Sequence, residues 1–339
     1  MKKFFYLLIV GAVSVYGYFW FVRGIDLFKG EQVGIDLPVY VYADRPAVKT
    51  GGYWLRATPM PTPRSEVGAA AVDGRIYVIG GRDGYGRTIS TVEVFDIFSN
   101  TWSKAAPLPE PLHHVAAASV EGKLYVIGGL KGFGNTPSNT LFIFDPVANS
   151  WRRGESLPAA LGAASAAVLD GVIHVFGGRN ALGSLGVYYV YDPLRNNWVT
   201  GQDMISVRDS LVVELIGDKF YVAGGQAGNS LDALATLDVF DTRLNEWDVL
   251  EPMSTRRGDA GSAGIKEEMY VMGGQAGTAA SDQVEIYDPT RHNWRIAAPL
   301  PTPLHGFGCV TLNGRVFVIG GGKRVGWSVT DLNLVFIPE

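Results

Sequence analysis

The sequence predicts an all-β fold in which six four-stranded sheets are arranged radially, a six-bladed β-propeller. Two markers support this prediction, and both step along the chain by 48, 49, 47, 49 and 47 residues. The first marker is a pair of adjacent glycines, which begins at Gly80, Gly128, Gly177, Gly224, Gly273 and Gly320. The second is a tryptophan, found at Trp54, Trp102, Trp151, Trp198, Trp247 and Trp294. A constant period of this length is typical of repeat architectures.

Each repeat has the pattern of four short strands, here called a to d in chain order. In the first repeat, small apolar residues 68–72 predict strand a, and an Asp-Gly turn leads to strand b at residues 75–79. The alternating residues 91–96 predict strand c, and a turn leads to strand d at Trp102. An aspartate precedes five of the tryptophans by six residues, and we expect its side chain to accept backbone N–H groups in the c–d turn. These aspartates are Asp96, Asp145, Asp192, Asp241 and Asp288.

The two ends of the repeat region predict how the ring closes. The last repeat has candidate strands a, b and c but lacks the aspartate and the tryptophan, whereas no strands a to c precede Trp54. We therefore expect residues 53–56 to supply strand d of the sixth blade, so that residues 53–339 form one closed propeller. Such closure removes the unpaired edge strand that an open sheet exposes.

The glycine pair after an apolar strand, the aspartate six residues before the tryptophan and the repeat length together resemble kelch repeats. The resemblance covers residues 53–339, and it implies the propeller fold. It implies less about function, because kelch propellers include both binding modules and enzymes, and one fold carries many activities.

Composition excludes several classes of protein. The chain has 47% hydrophobic and 18% charged residues, which excludes a disordered chain, and its 43 glycines favour a fold with many tight turns. The single cysteine, Cys309, excludes an intramolecular disulfide framework. The formal net charge of −4 lacks the basic footprint of a nucleic-acid-binding protein, so no nucleic acid partner is expected.

The N-terminal residues 1–30 are interpreted as a membrane anchor. Residues 4–22 carry no charge, and as a helix they would span about 28 Å, close to the thickness of a bilayer core. A cleaved signal peptide and a packed core helix are the alternatives. Basic residues before and after the run slightly favour a cytoplasmic N-terminus, which would make the propeller extracytoplasmic, that is, periplasmic or extracellular. Residues 31–52 are expected to form a stalk, with residues 39–42 as a candidate extra strand.

The site is expected on the face that carries the d–a and b–c loops. The a–b turns of the opposite face are short, whereas the b–c loops are longer and vary, as functional loops on a rigid scaffold often do. The candidate ligand-binding residues at the starts of strands a are Arg64, Ser65, His113, Arg208, Asp209, Arg257 and His305. Those in the b–c loops are Arg82, Arg179 and Trp327. Trp327 is either an interface anchor or a residue packed on its own blade.

The kelch resemblance adds roles for some of these residues. In kelch proteins of the substrate-adaptor type, arginine and serine at the starts of strands a contact acidic peptide segments. Arg64, Ser65, Arg208 and Arg257 match those positions, whereas blades two, three and six have leucine in place of the arginine. The resemblance therefore implies ligand contact by these residues, and the alternative is that the arginines form hydrogen bonds within the scaffold.

The sequence thus predicts a membrane-anchored, extracytoplasmic module that binds a protein segment or a glycan on its b–c loop face. One alternative is an enzyme similar to the sugar-acid mutarotases of the kelch family, with acid–base chemistry from Glu66, Asp209 or Asp259. A structural subunit of a membrane complex is a second alternative. No cofactor is expected. No metal site is expected either, because no carboxylate can be placed beside the histidines at the strand starts, His113, His114 and His305.

Overall fold

The computed structural model of the chain describes residues 51–228 and 232–339 together with the backbone of residues 40–41. All regular secondary structure in these residues is β-strand. The predicted anchor at residues 1–30 and most of the predicted stalk at residues 31–52 lie outside the described residues. Within the described part of the chain, no helix has the length and apolar character needed to cross a bilayer.

Six antiparallel sheets form the blades, and each follows the order a-b-c-d. Strands a to d are Gly68–Val72, Arg75–Ile79, Val92–Asp96 and Thr101–Lys104 in blade 1; Ala116–Val120, Lys123–Ile127, Leu141–Asp145 and Ser150–Arg153 in blade 2; and Ser165–Leu169, Val172–Phe176, Tyr188–Asp192 and Asn197–Thr200 in blade 3. They are Val212–Ile216, Lys219–Ala223, Leu237–Asp241 and Glu246–Leu250 in blade 4, and Gly261–Ile265, Glu268–Met272, Val284–Asp288 and Asn293–Ile296 in blade 5. Each strand a contacts strand a of both neighbouring blades, so the six a strands surround a central channel.

Blade 6 contains both ends of the propeller. Its strands a, b and c are Gly308–Leu312, Arg315–Ile319 and Asn333–Ile337, and its strand d is the N-terminal Tyr53–Arg56. Trp54 lies opposite Phe336 in this antiparallel pair. The N-terminal strand therefore fills the place that the last repeat leaves without a strand d. The backbone of Tyr40–Val41 adds a fifth strand outside it.

The glycine pairs are required by backbone conformation and by the close approach of the next blade. Gly80 and Gly81 have φ angles of 60° and 102°, which L-residues with a side chain rarely adopt. A Cβ atom on Gly80 would lie 2.2 Å from the carbonyl oxygen of Leu112, where blade 2 begins. The Gly81 N–H donates to the same oxygen at 2.9 Å. Any side chain on Gly80 would therefore push two blades apart.

The repeated tryptophans tie each strand d to the connection that enters its blade. The indole Nε1–H of Trp102 donates to the carbonyl oxygen of Thr58 at 2.8 Å, and that of Trp151 donates to Ala106 at 2.8 Å. The other four tryptophans form the same bond with Ala298, Glu155, Gln202 and Glu251. Because each connection continues from strand d of the preceding blade, the tryptophans hold neighbouring blades together.

The repeated aspartates stabilise the c–d turns in the way that the sequence predicts. Oδ1 of Asp96 accepts the backbone N–H groups of Phe98 at 3.0 Å and Ser99 at 3.1 Å. The aspartates of blades 2 to 5 accept the corresponding pair of N–H groups. The prediction for this side chain is therefore confirmed in all five repeats that carry it.

Candidate functional site

Six equivalent residues, one just before strand a of each blade, form a closed ring around the channel. All six have left-handed backbones with φ between 49° and 59°. Each N–H donates to the carbonyl oxygen of the equivalent residue in the preceding blade, at 2.6 to 3.0 Å. We call these residues the neck ring: Glu66, His114, Ala163, Ser210, Asp259 and Gly306. Left-handed non-glycine residues are uncommon and often occur at functional sites.

The neck ring separates two cavities. On the b–c loop face a funnel of about 190 Å³ opens, and its polar wall includes Arg82, Arg179, Asp209, Gln226, Gln275 and His305. On the other side a cavity of about 110 Å³ is lined mainly by small or apolar residues at the starts of the a strands. The funnel is therefore the polar part of the channel, and it lies on the face that the sequence predicts.

Arg64, Arg208 and Arg257 do not line this funnel. All three side chains are fully buried, and each pairs with an acidic residue on strand c of its own blade. The three pairs are Arg64 with Glu93, Arg208 with Asp238 at 3.1 Å, and Arg257 with Glu285. Their guanidinium groups also donate to backbone carbonyl oxygens, including that of Val78 at 3.0 Å. This burial corrects the prediction that the three arginines contact a ligand, because the blades exclude a ligand from them.

A comparison of the six repeats in the sequence indicates that the arginine–acid pairs are internal. Where strand a is preceded by leucine in place of arginine, the matching position on strand c is apolar instead of acidic. These apolar pairs are Leu112 with Phe142, Leu161 with Tyr189, and Leu304 with Leu334, and all six residues are buried. Arginine and acid thus occur together or not at all, as expected where an unpaired buried charge would be costly.

Ionisable side chains meet at one side of the neck ring. The His114 Nε2 atom lies 2.8 Å from Oε2 of Glu66 and 3.7 Å from Oδ1 of Asp259. The His305 Nδ1 atom lies 3.5 Å from Oε1 of Glu66. We call these four residues the neck cluster: Glu66, His114, Asp259 and His305. They come from blades 1, 2, 5 and 6, so only ring closure brings them together.

Two further residues support the neck cluster from behind. The ring of His113, which is buried, places its Nδ1 atom 2.5 Å from Nδ1 of His114. Nη2 of Arg82 lies 2.9 Å from Nε2 of His113. Arg82 and the two histidines therefore form a continuous chain of hydrogen-bonded groups that leads to Glu66.

The charges in this cluster shift the pKa values of its members. Burial alone would raise the pKa of Glu66, but His114 and the other histidines outweigh it and lower the pKa to about 2. Burial alone would lower the pKa of His114, but Glu66 and Asp259 raise it to about 9. Burial, and to a smaller extent repulsion from the Glu66 carboxylate, raises the pKa of Asp259. Burial and the cations His114 and Arg82 lower the pKa of His113 to about 2.

The other predicted residues divide between the funnel wall and the layer behind it. Arg82, Arg179, Asp209, His305 and Trp327 line the funnel. The Asp209 carboxylate also accepts hydrogen bonds from the hydroxyl groups of Ser184 at 2.7 Å and Ser210 at 3.2 Å. Ser65 and His113 are buried, and Ser65 exchanges backbone hydrogen bonds with Arg82.

Aromatic side chains stand at the rim of the funnel. Trp327 is 59% exposed and Phe133 is 62% exposed, and their rings meet edge to face with centroids 6.0 Å apart. Gly86 supports the indole, because a Cβ atom at that position would lie only 2.7 Å from the Trp327 ring. Trp327 is thus held against blades 1 and 2 with much of its surface exposed beside the funnel.

Six four-stranded blades with their glycine pairs, tryptophan ties and closing N-terminal strand define a propeller of the kelch type. The model of the KLHDC2/KLHL20/DRC7 Kelch-repeats domain matches residues 53–204 and 153–322. The chain therefore belongs to the kelch-repeat family.

Among solved structures, the chain is similar to the one described as "Structure of YjhT", with 17% identity and a TM-score of 0.72. The similarity covers 82% of this chain and 95% of that chain, and at this identity it shows a shared fold. A search of curated proteins found no match.

Proposed function

We propose that this chain is a kelch binding module that takes a glycan into the funnel. The observation that carries the proposal is Trp327, which is largely exposed and positioned directly beside a polar cavity. A sugar ring has an apolar C–H face and a hydroxyl-bearing edge. An aromatic ring at the rim and polar groups in the wall match those two surfaces.

Unpaired amide atoms in the funnel wall support the same proposal. Gln226 and Gln275 are both buried, yet Nε2 of Gln226 and Oε1 of Gln275 have no hydrogen-bond partner. Buried polar atoms are nearly always paired, so an exception that lines a cavity favours a ligand that pairs them. A sugar hydroxyl suits both atoms, because it donates and accepts.

Glycan binding can be tested with the full-length chain, first on an array of neutral and acidic saccharides and then by calorimetry with those retained. Trp327→Ala should weaken binding at least about tenfold, because it removes an aromatic contact at the rim of the funnel, and tryptophan contacts often carry a large share of the binding energy. Phe98→Ala is the matched control, since Phe98 is an exposed aromatic residue in a c–d turn on the opposite face. Equal loss in both variants, or no retained saccharide, would contradict the proposal. Retention of peptides, sensitive to Trp327, would indicate a protein segment instead.

The proposal places the propeller on the extracytoplasmic side of a membrane, attached through residues 4–22. It is supported by the uncharged run of nineteen residues and by the basic residues that flank it. Reporter domains fused after residue 30 can test the orientation. We expect activity from a reporter that folds only outside the cytoplasm, and activity only from a cytoplasmic reporter would contradict this orientation.

A second candidate function is an acid–base enzyme that acts on a sugar acid. It is favoured by the position of Glu66, His114 and Asp259 at the base of the funnel, with one ligating atom of each within 4.8 Å of the others. A general acid or base must come within hydrogen-bond reach of the proton that it transfers. NMR exchange spectroscopy would detect faster interconversion of sugar anomers, and Glu66→Gln should abolish it. A purely structural subunit would show neither activity nor saccharide binding.

A further inference from the structure

We propose that the neck cluster binds a divalent transition-metal ion through Glu66, His114 and Asp259, with His305 as the fourth group. The proposal concerns the base of the funnel and does not depend on which ligand the funnel takes. It rests on three observations: the spacing of the ligand atoms, the groups that hold the ligands from behind, and a buried histidine nitrogen without a hydrogen-bond partner.

The spacing of the candidate ligand atoms fits a small coordination sphere. One atom from each of Glu66, His114 and Asp259 lies within 4.8 Å of the others, and His114 Nε2 is 2.8 and 3.7 Å from the two carboxylate oxygens. Bonds of about 2.0–2.2 Å to a tetrahedral ion place ligand atoms roughly 3.4 Å apart. Side-chain adjustments on the order of 1 Å would therefore be enough to bind the ion.

Outer groups hold these ligands in the manner of metal sites. Nε2 of Gln275 donates to Oδ2 of Asp259 at 2.6 Å, leaving Oδ1 to face His114. The Nδ1 atom of His114 lies against His113, which leaves Nε2 directed into the cluster, and an ion that binds there would displace the proton on Nε2. Hydrogen bonds to the far atoms of ligating histidines and carboxylates fix their orientation and are typical of metal sites.

His305 supplies the observation that points to a cation. Its side chain is buried, and Nε2 lies 2.9 Å from the carbonyl oxygen of Arg324, which can only accept a hydrogen bond. Nε2 is therefore occupied by that carbonyl oxygen, and Nδ1 is the ring nitrogen that faces the cluster. That atom has no hydrogen-bond partner and faces the Glu66 carboxylate at 3.5 Å. A cation bound between the two atoms would pair with both.

The donor set selects the class of ion. Imidazole nitrogen with carboxylate oxygen suits Zn²⁺, Mn²⁺ and Fe²⁺, and the cluster offers no thiolate that would favour copper(I). The cluster opens to the funnel, so a water molecule or an oxygen atom of a bound ligand can complete the coordination.

Co²⁺ is the probe of choice, because it replaces Zn²⁺ and its visible absorption reports the coordination geometry. The full-length chain, purified without a histidine tag and stripped with EDTA, is titrated with Co²⁺ by absorbance and with Zn²⁺ by calorimetry. We expect one equivalent to bind with visible bands of low coordination number. His114→Ala and Asp259→Asn should each weaken binding by more than about 100-fold, because a lost ligand costs more than a lost outer partner.

The chain supplies matched controls. Alanine already occupies the neck-ring position of blade 3, so His114→Ala introduces a residue that this backbone accommodates. His292→Asn removes a histidine from a c–d turn on the opposite face, where blades 1 to 4 have asparagine, and it should bind Co²⁺ like the parent. Melting of each metal-free variant checks folding. The proposal is overturned if the parent takes up no Co²⁺, or if uptake is the same in the parent and both ligand variants.

Discussion

The buried ion pair between Arg64 and Glu93 provides a direct test of how the blades are built. Arg64→Leu leaves the Glu93 carboxylate fully buried without its cation, and the Thr62 hydroxyl still donates to it at 2.7 Å. The change also removes donors from the carbonyl oxygens of Thr62 and Val78. Each of these losses destabilises the folded state only.

The expected magnitude follows from the burial of both partners. Removing one member of a fully buried pair costs about 3–5 kcal/mol, so we expect Arg64→Leu to lower the free energy of unfolding by about 4 kcal/mol. The double variant Arg64→Leu/Glu93→Leu copies the pair that blade 6 already has in Leu304 and Leu334. Replacing a whole buried pair with apolar residues is often neutral, so the double variant should return to within about 1.5 kcal/mol of the parent.

Urea unfolding monitored by tryptophan fluorescence would measure both free energies, and unchanged m-values would show that unfolding exposes similar surface. The reasoning is refuted if the single variant loses less than about 1 kcal/mol, or if the double variant is as unstable as the single one. Saccharide binding by the double variant should equal that of the parent, because Arg64 lies outside the funnel. A loss of binding without a loss of stability would restore Arg64 as a ligand contact.

Three further predictions concern the scaffold. Gly80→Ala should destabilise the protein by more than about 3 kcal/mol, because it adds a clash with blade 2 to the strain of a left-handed backbone. Gly122→Ala should cost only about 1 kcal/mol, because Gly122 has a φ of 72° but no atom within 4 Å of its Cβ position. Similar losses of stability for the two variants in urea unfolding would contradict this. Burial raises the pKa of Glu214 from 4.5 to about 7, so between these pH values the folded protein holds a proton that the unfolded chain has released, and stability should fall as pH rises. Glu214→Gln should therefore gain about 3 kcal/mol at pH 8 but little at pH 4, and melting temperatures that show no such difference would exclude the effect. Trp151→Phe removes the indole hydrogen bond to the carbonyl oxygen of Ala106 and should lower the free energy of unfolding in urea by about 1 kcal/mol. Saccharide binding should not change. An unaltered stability would show that this hydrogen bond contributes nothing.

Much of the scaffold can be predicted from the sequence, because the backbone conformations that it requires are local and recur from repeat to repeat. A positive φ and the close approach of the next blade demand Gly80, and the c–d turn demands an acceptor such as Asp96. Both requirements recur at a constant step, so the sequence predicts the number of blades. It also predicts the closing strand, since the last repeat lacks the residues that Trp54 and its strand supply.

The candidate site is harder to predict from the sequence, because neighbouring residues at the start of strand a have different environments. Arg64 lies inside its blade, Ser65 pairs with the b–c loop, and Glu66 lies on the channel. Sequence reasoning favoured the first two positions, whereas in the structure the first is enclosed in its blade, the second reaches the funnel only at Asp209 and His305 among the candidates, and the third forms the neck ring. Comparing Arg64 and Glu93 with the apolar pairs of other repeats would have revealed that the arginine is internal.

The sequence by itself determined the propeller, its six blades and the face with variable loops, since these follow from backbone demands that each repeat meets separately. Only the tertiary structure decided which side chains face the funnel and that Glu66, His114, Asp259 and His305 meet at its base. These four residues belong to four blades, and no repeat contains more than one of them. Their proximity is a consequence of ring closure, in which blade 6 is completed by hydrogen bonds between strands Tyr53–Arg56 and Asn333–Ile337 and is thereby held beside blade 1.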